Sequence, residues 1–196
     1  QGNNILKLSF INSNTGWAAG EKGAILKTTS GGNTWTPQYA GTVSDIHALQ
    51  FSDSLHGWVG AESDLFKTTN SGQSWTIIYR FPGYNITALA MRDNDTGVVA
   101  VSNGFTGSLL YKTIDGGTNW TQLPASISTD ILDLTYTPNG TILAAGAVGT
   151  LLIGTSGGTN WASASAGTSD DFTDISAASN TTFYACTMNG IYKSTN

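Results

Sequence analysis

Lys27-Thr28-Thr29-Ser30-Gly31-Gly32-Asn33-Thr34-Trp35-Thr36 decides how this chain is read, because it recurs. It returns as Lys67-Thr68-Thr69-Asn70-Ser71-Gly72-Gln73-Ser74-Trp75-Thr76, and again as Lys112-Thr113-Ile114-Asp115-Gly116-Gly117-Thr118-Asn119-Trp120-Thr121. A worn copy runs from Ile153 through Thr155, Ser156, Gly157, Gly158 and Asn160 to Trp161, and a fifth begins at Lys193-Ser194-Thr195-Asn196. Each copy reads as strand, tight turn, strand. The paired threonines suit an extended chain. Ser30, Asn70, Asp115 and Ser156 are side chains that accept hydrogen bonds from nearby backbone N–H groups and so close a turn. Gly32, Gly72, Gly117 and Gly158 supply the positive φ that such a turn needs. Trp35, Trp75, Trp120 and Trp161 each bring a large apolar face and one N–H donor, enough to cap a small core.

The tryptophans lie 40, 45 and 41 residues apart, the period of a propeller blade. Each unit carries three strands before the turn and one after it. First strands are expected at Ile5–Phe10, Ile46–Phe51, Ile86–Met91, Ile131–Tyr136 and Phe172–Ile175. Second strands open on Gly16-Trp17, Gly57-Trp58, Gly97-Val98, Thr141-Ile142 and Thr182-Phe183, and run on through small residues. Third strands are expected at Ile25–Thr28, Leu65–Thr68, Leu109–Lys112, Leu151–Ile153 and Ile191–Lys193. No segment sustains a 3.6-residue period, so almost no helix is expected. A lone four-stranded sheet cannot cover both its faces, whereas radial stacking of blades does so. The expectation is an all-β chain, one β-propeller domain over residues 1–196 built of four-stranded antiparallel blades. Its units cover about 5–40, 41–80, 81–125, 126–166 and 167–196, four full blades and most of a fifth. Two architectures fit: a closed five-bladed ring, or an arc of a larger propeller.

Charged residues make up 11% of the chain and the formal net charge is −5, well short of the usual quarter. Gly, Ser, Thr and Asn fill the gap, as in turn-rich secreted proteins. Two arginines, Arg80 and Arg92, and six lysines make neither a nucleic-acid footprint nor a polybasic membrane patch. No apolar run reaches the length of a membrane helix, and no leader segment is read at Gln1. Cys186 stands alone in an expected strand, so it makes no intramolecular disulfide and reads as a small buried hydrophobe.

The repeated turn resembles the Asp-box, or BNR, motif Ser/Thr-x-Asp-x-Gly-x-Thr-Trp. Thr113, Asp115, Gly117 and Trp120 match it. Thr28, Gly32, Thr34 and Trp35 match with Ser30 in the Asp place, and Thr68, Gly72 and Trp75 match with Asn70 there. The fourth copy keeps Gly158 and Trp161, with Ser156 in the Asp place. The resemblance implies a structural motif on the rim of the blades. The longer unit, Gly16-Trp17-Ala18-Ala19-Gly20 followed by Ile25-Leu26-Lys27-Thr28-Thr29 and the box, resembles the photosystem II stability/assembly factor propellers. That resemblance implies a propeller that binds proteins or peptides without catalysis. It also implies seven blades and an arginine-rich patch in the photosynthetic members, which two arginines in different units do not make.

Propellers of this kind bind on the face carrying the fourth-to-first and second-to-third connections. Candidate binding residues there are Tyr39, Tyr79, Arg80, Tyr84, Phe105, Asp170 and Asp171, since aromatics with a few polar groups suit a peptide or sugar. Phe105 sits in a long connection, Ser102–Gly107, that accounts for the 45-residue spacing. The competing reading packs these rings between blades. Asp-box sialidases hold substrate with three arginines, one more than this chain has. A glycosidase or lectin remains the alternative, the former needing a carboxylate pair from Asp45, Asp64, Asp130, Asp133, Asp170, Asp171 and Asp174, none of which stands out. His47 and His56 lack ligand partners at metal-binding spacing, so no metal and no cofactor are expected. The expected role is a binding or adhesion module of a secreted or cell-surface bacterial protein, with a protein, peptide or glycan as partner. Asp53-Ser54-Leu55 matches a loose bacterial O-glycosylation pattern. Asn85, Asn94, Asn119, Asn139 and Asn180 head N-glycosylation sequons, which matter in a eukaryotic source.

Overall fold

The structure, a computed structural model, describes residues 2–195 and forms a β-propeller arrangement of five meandering blades. Blade 1 holds β1 (Ile5–Phe10), β2 (Gly16–Gly20), β3 (Ile25–Thr28) and β4 (Thr36–Gln38). Blade 2 holds β5 (Ile46–Phe51), β6 (Gly57–Ala61), β7 (Asp64–Thr68) and β8 (Thr76–Arg80). Blade 3 holds β9 (Asn85–Met91), β10 (Gly97–Ser102), β11 (Ser108–Thr113) and β12 (Thr121–Gln122). Blade 4 holds β13 (Ile131–Tyr136), β14 (Ile142–Gly146), β15 (Leu151–Thr155) and β16 (Asn160–Ala164). Blade 5 holds β17 (Asp174–Ala177), β18 (Phe183–Thr187) and β19 (Gly190–Ser194). Helix among the described residues is limited to two single 3₁₀ turns, Glu21–Gly23 and Ser156–Gly158. The chain divides into two compact units: residues 1–86 carry blades 1 and 2 and the first two residues of β9, and residues 87–196 carry the rest.

In the first unit the core between blades 1 and 2 is built from alternate residues of the second strands. Trp17 and Ala19 face Phe51 and Val59 of the next blade. The Trp17 indole stacks on the Phe51 ring at 3.5 Å between centroids, with the planes 6° apart. In the second unit Leu143 and Ala145 of blade 4 pack with Phe172, Ile175 and Ala185 of blade 5 in the same manner.

Three sequence expectations shift. The register pairs Phe10 with Gly16, Tyr136 with Ile142 and Ala177 with Phe183. The counterparts of Trp17 are therefore Leu143 and Tyr184, not Ile142 and Phe183. Side chains alternate across a sheet, so this one-residue slip decides which face each occupies. Blade 5's first strand is Asp174–Ala177 rather than Phe172–Ile175. Phe172 is fully buried, and its N–H donates to the Gly146 carbonyl of blade 4 at 3.0 Å, so it serves as an anchor ahead of the strand. Cys186, expected buried, is half-buried and free.

The boxes close by one repeated set of bonds. The N–H groups of Gly32, Gly72 and Gly117 donate to the hydroxyls of Thr28, Thr68 and Thr113 at 3.0, 2.9 and 2.9 Å. The N–H groups of Thr34, Ser74 and Asn119 donate to the side chains of Ser30, Asn70 and Asp115, each at 2.9 Å. Serine, asparagine and aspartate thus do the same work. Within each unit a lysine ties one blade to the next box: Lys27 Nζ bonds Ser71 Oγ at 2.5 Å, and Lys112 Nζ bonds the Gly157 carbonyl at 3.1 Å. Trp75 and Trp161 pack into the cores toward the preceding blade.

Thr113→Val removes a buried acceptor while keeping the shape, and leaves the Gly117 N–H without its partner. The expected loss is about 1–3 kcal/mol in urea unfolding. The Asn119 side chain, followed by the Asn119 backbone and the Thr113 hydroxyl, holds the Asp115 carboxyl below its ordinary value. Its contribution is thus complete above the unfolded carboxylate pKa of about 3.9 and is lost as pH falls through the lower folded value. The stability gap between the parent and Asp115→Ala is expected to be flat above about pH 5 and to close in more acidic melts.

Candidate functional site

The fourth-to-first connections and the second-to-third hairpins of each unit lie side by side, and carboxylates stitch them together. In the first unit Asp45, just ahead of β5, accepts the Lys22 N–H from the blade 1 hairpin at 2.9 Å. In the second unit Asp171 accepts the Val148 N–H of the blade 4 hairpin at 2.9 Å. Asp130, ahead of β13, accepts the Ser102 hydroxyl at 2.5 Å. Lys22 and Val148 both sit at φ +55°, a cost for non-glycine residues and especially for a β-branched one, and each bond meets the residue that bears it. Gly23 and Gly149 follow them. A Cβ on either would come within 2.1 and 2.2 Å of the Thr42 and Thr168 carbonyls, so the tight approach of hairpin to connection requires glycine there.

Most of the candidate carboxylates are therefore spoken for by structure. Asp64 pairs with Arg80 across β7 and β8, Oδ1 to Nε at 3.0 Å. Asp133 accepts the Ile175 N–H of the next blade at 2.9 Å. Asp170 accepts the Asn189 side-chain N–H at 3.0 Å, while its carbonyl takes the Gly149 N–H. Asp174 lies exposed in β17. His56 bonds Asp53 at 2.8 Å in a local turn, and His47 is exposed. No group of three His, Cys, Asp or Glu side chains among the described residues is placed to hold a metal ion.

Of the predicted binding residues, Tyr39, Tyr79, Arg80 and Tyr84 belong to the first unit, and Phe105, Asp170 and Asp171 to the second. Tyr79 and Arg80 lie in β8 rather than in a loop. Tyr79 packs on the buried Phe81 ring at 4.8 Å within the same segment, and Tyr84 is half-buried. Tyr39 is exposed and follows β4. Phe105 is 92% exposed at the tip of its hairpin, where Asn103 Oδ1 accepts the Phe105 and Thr106 N–H groups at 3.0 and 3.2 Å. Sequence reasoning missed two companions. Val148 is 65% and Met188 96% exposed, at the hairpin tips of blades 4 and 5. Aligning the units by their hairpins would have marked both, since Lys22 and Glu62 hold polar side chains at the corresponding tips of blades 1 and 2.

A family model described as photosynthesis system II assembly factor YCF48 matches residues 1–126. The chain belongs to this family. Its members include the solved structure described as YCF48 bound to D1 peptide, 19% identical over 99% of this chain and 78% of that one, with a TM-score of 0.58. YCF48 from Cyanidioschyzon merolae is 18% identical over 99% and 68% of the two chains, with a TM-score of 0.76. Outside the family, the GH74 enzyme of Niastella koreensis is 20% identical over 98% of this chain and 37% of that one, with a TM-score of 0.79. At such identities the likeness shows the propeller fold. A search of the curated proteins returns no match.

Asp171→Ala should free the Val148 amide. Its hydrogen exchange is expected to quicken at least tenfold, with the β14 amides unchanged. Equal exchange in both proteins would count against the carboxylate as the hairpin's anchor.

Proposed function

We propose that this chain is a non-catalytic binding module that takes an extended peptide or protein segment on the hairpin face of its second unit. The observation that carries this reading is the run of apolar tips, Phe105, Val148 and Met188, on three consecutive blades. Exposed apolar side chains gathered on one face cost solubility and mark a partner surface. The backbone beneath Phe105 and Val148 is held by Asn103, Asp171 and the Asp170 carbonyl, so little ordering entropy is left to lose there on binding. The family's YCF48 structure with a D1 peptide supports a polypeptide ligand. The carboxylates a glycosidase would need are largely engaged with backbone and side-chain partners, which favours binding over hydrolysis. The low charge and single cysteine favour a secreted or cell-surface bacterial setting, where the module would serve adhesion.

A displayed pool of random 12-residue peptides, enriched on the chain, supplies the probe. The Phe105→Ser, Met188→Ser double variant is expected to bind the enriched peptides at least tenfold more weakly by calorimetry while melting within a few degrees of the parent. Unchanged binding would sink the assignment of this face.

A further inference from the structure

The apolar tips of the second unit stand among carboxylates. Residues 1–86 carry five acidic and five basic side chains, whereas residues 87–196 carry eight aspartates against Arg92, Lys112 and Lys193. The chain's formal charge of −5 therefore falls wholly on the second unit. Within that unit the two signs are sorted to opposite ends of the blades. Asp130 precedes β13, Asp170 and Asp171 precede β17, and Asp174 opens it, all at the end that carries the hairpins. Asp171 and Asp174 are exposed, and Asp130 and Asp170 are half-buried. The Ser102 hydroxyl, the Asn189 side-chain amide and the Val148 N–H that donate to Asp130, Asp170 and Asp171 are neutral, so the charge stays in place.

The three cations lie at the other end. Arg92 follows β9, and its guanidinium stands 3.0 Å from where a Cβ on Gly140 would lie, in the first-to-second turn of blade 4. Lys112, one residue from the end of β11, bonds the Gly157 carbonyl of the next box at 3.1 Å. Lys193, placed likewise in β19, lies over the Tyr184 ring at 5.8 Å. From Lys112 back to the hairpin at Ser108 is roughly 13 Å of strand, beyond the Debye length of about 8 Å at physiological salt. The repeat supplies the contrast. In blade 1 the residue stitched to Asp45 is Lys22, which carries a cation of its own. In blade 4 the residue stitched to Asp171 in the same way is Val148. That exchange adds an apolar tip and removes a positive charge in one step.

We infer, resting on the peptide-binding reading of this face, that its partner is a cationic segment. Apolar side chains of an extended peptide seat on Phe105, Val148 and Met188, while its lysines or arginines lie over Asp130, Asp171 and Asp174. The apolar contact supplies area without choosing among partners. Charges of one sign gathered on a face steer an oppositely charged partner to it and turn away a like-charged one. An acidic peptide with the same apolar residues would meet repulsion here, and a neutral one would gain no attraction.

The displayed pool of random 12-residue peptides, panned on the 196-residue chain, is the probe. Enriched peptides are expected to carry more Lys and Arg than the starting pool. They are expected to bind at least tenfold more weakly in about 1 M salt than in about 0.1 M, where screening is far shorter in range. The triple variant Asp130→Asn, Asp171→Asn, Asp174→Asn keeps the acceptor oxygens and removes three charges. It is expected to melt within a few degrees of the parent and to bind the enriched peptides at least tenfold more weakly. Neutral or acidic enriched peptides that still lose affinity for the Phe105→Ser, Met188→Ser variant would overturn the cationic partner and leave the face standing. So would cationic peptides that bind the triple variant as tightly as the parent. No enrichment, or enriched peptides that bind the serine variant as well as the parent, would remove the face and the cationic partner with it.

Discussion

A four-stranded meander has two apolar faces and no means of covering either, so each blade here depends on its neighbours. The sequence solves this with a small set of interlocking pieces. The glycine that opens a second strand lets an aromatic or sulfur side chain of the first strand lie flat against the backbone. A Cβ at Gly16 or Gly57 would fall 2.6 or 2.5 Å from the ring of Phe10 or Phe51. With Phe51 so placed, Trp17 of the preceding blade stacks on it, and Trp75 meets it edge-on at 5.8 Å. Three aromatic side chains from two blades thus share one contact. Burying a large apolar side chain of this kind is worth about 1.5–3 kcal/mol, and here the gain exists only if both blades are present. Lys27 then covers the Trp17 ring and bonds the next box, which joins the apolar contact to the turn chemistry.

This dependence explains what could be read from the residues. Strand starts and box turns rest on local chemistry, namely Thr-Thr runs, turn glycines and a following tryptophan, and these were legible. The second strand of blade 4 was misaligned by one because Thr141-Ile142 imitates Gly-Trp in position but not in packing. Only the pairing of Tyr136 with Ile142 shows that Leu143 takes the tryptophan's place. The carboxylates were harder still. Asp45 and Lys22 are 23 residues apart, as are Asp171 and Val148, and Asp130 and Ser102 are 28 apart. No local pattern couples such pairs, so structural aspartates looked like candidate acids. Phe105 was visible because its hairpin is long. Val148 and Met188 sit in hairpins of ordinary length and carry no local signal.

The same division of labour separates scaffold from surface. The boxes repeat because they must satisfy one geometry, and Ser30, Asn70 and Asp115 are interchangeable there because each offers an oxygen at the same point. The hairpin tips vary from Lys22 and Glu62 to Val148, Phe105 and Met188, because nothing in the fold constrains them beyond the stitched backbone below. Variation confined to the tips of a rigid frame is how loops carry recognition.

The worn fourth box shows which part of the motif is indispensable. It has lost the threonine hydroxyl to Gly154. Its Ser156 sits at φ +52°, and its hydroxyl accepts from Asn160 Nδ2 only at 3.4 Å. Yet the turn holds. Trp161 donates its N–H to the Gly158 carbonyl at 2.7 Å, and its ring covers Gly154. A Cβ at Gly158 would stand only 2.8 Å from Leu123 Cδ1. What survives when the polar closure is stripped away is a glycine that lets the turn approach the core and an indole that fills the space between blades. The hydroxyl and carboxyl tune the turn, while the packed indole joins one sheet to the next.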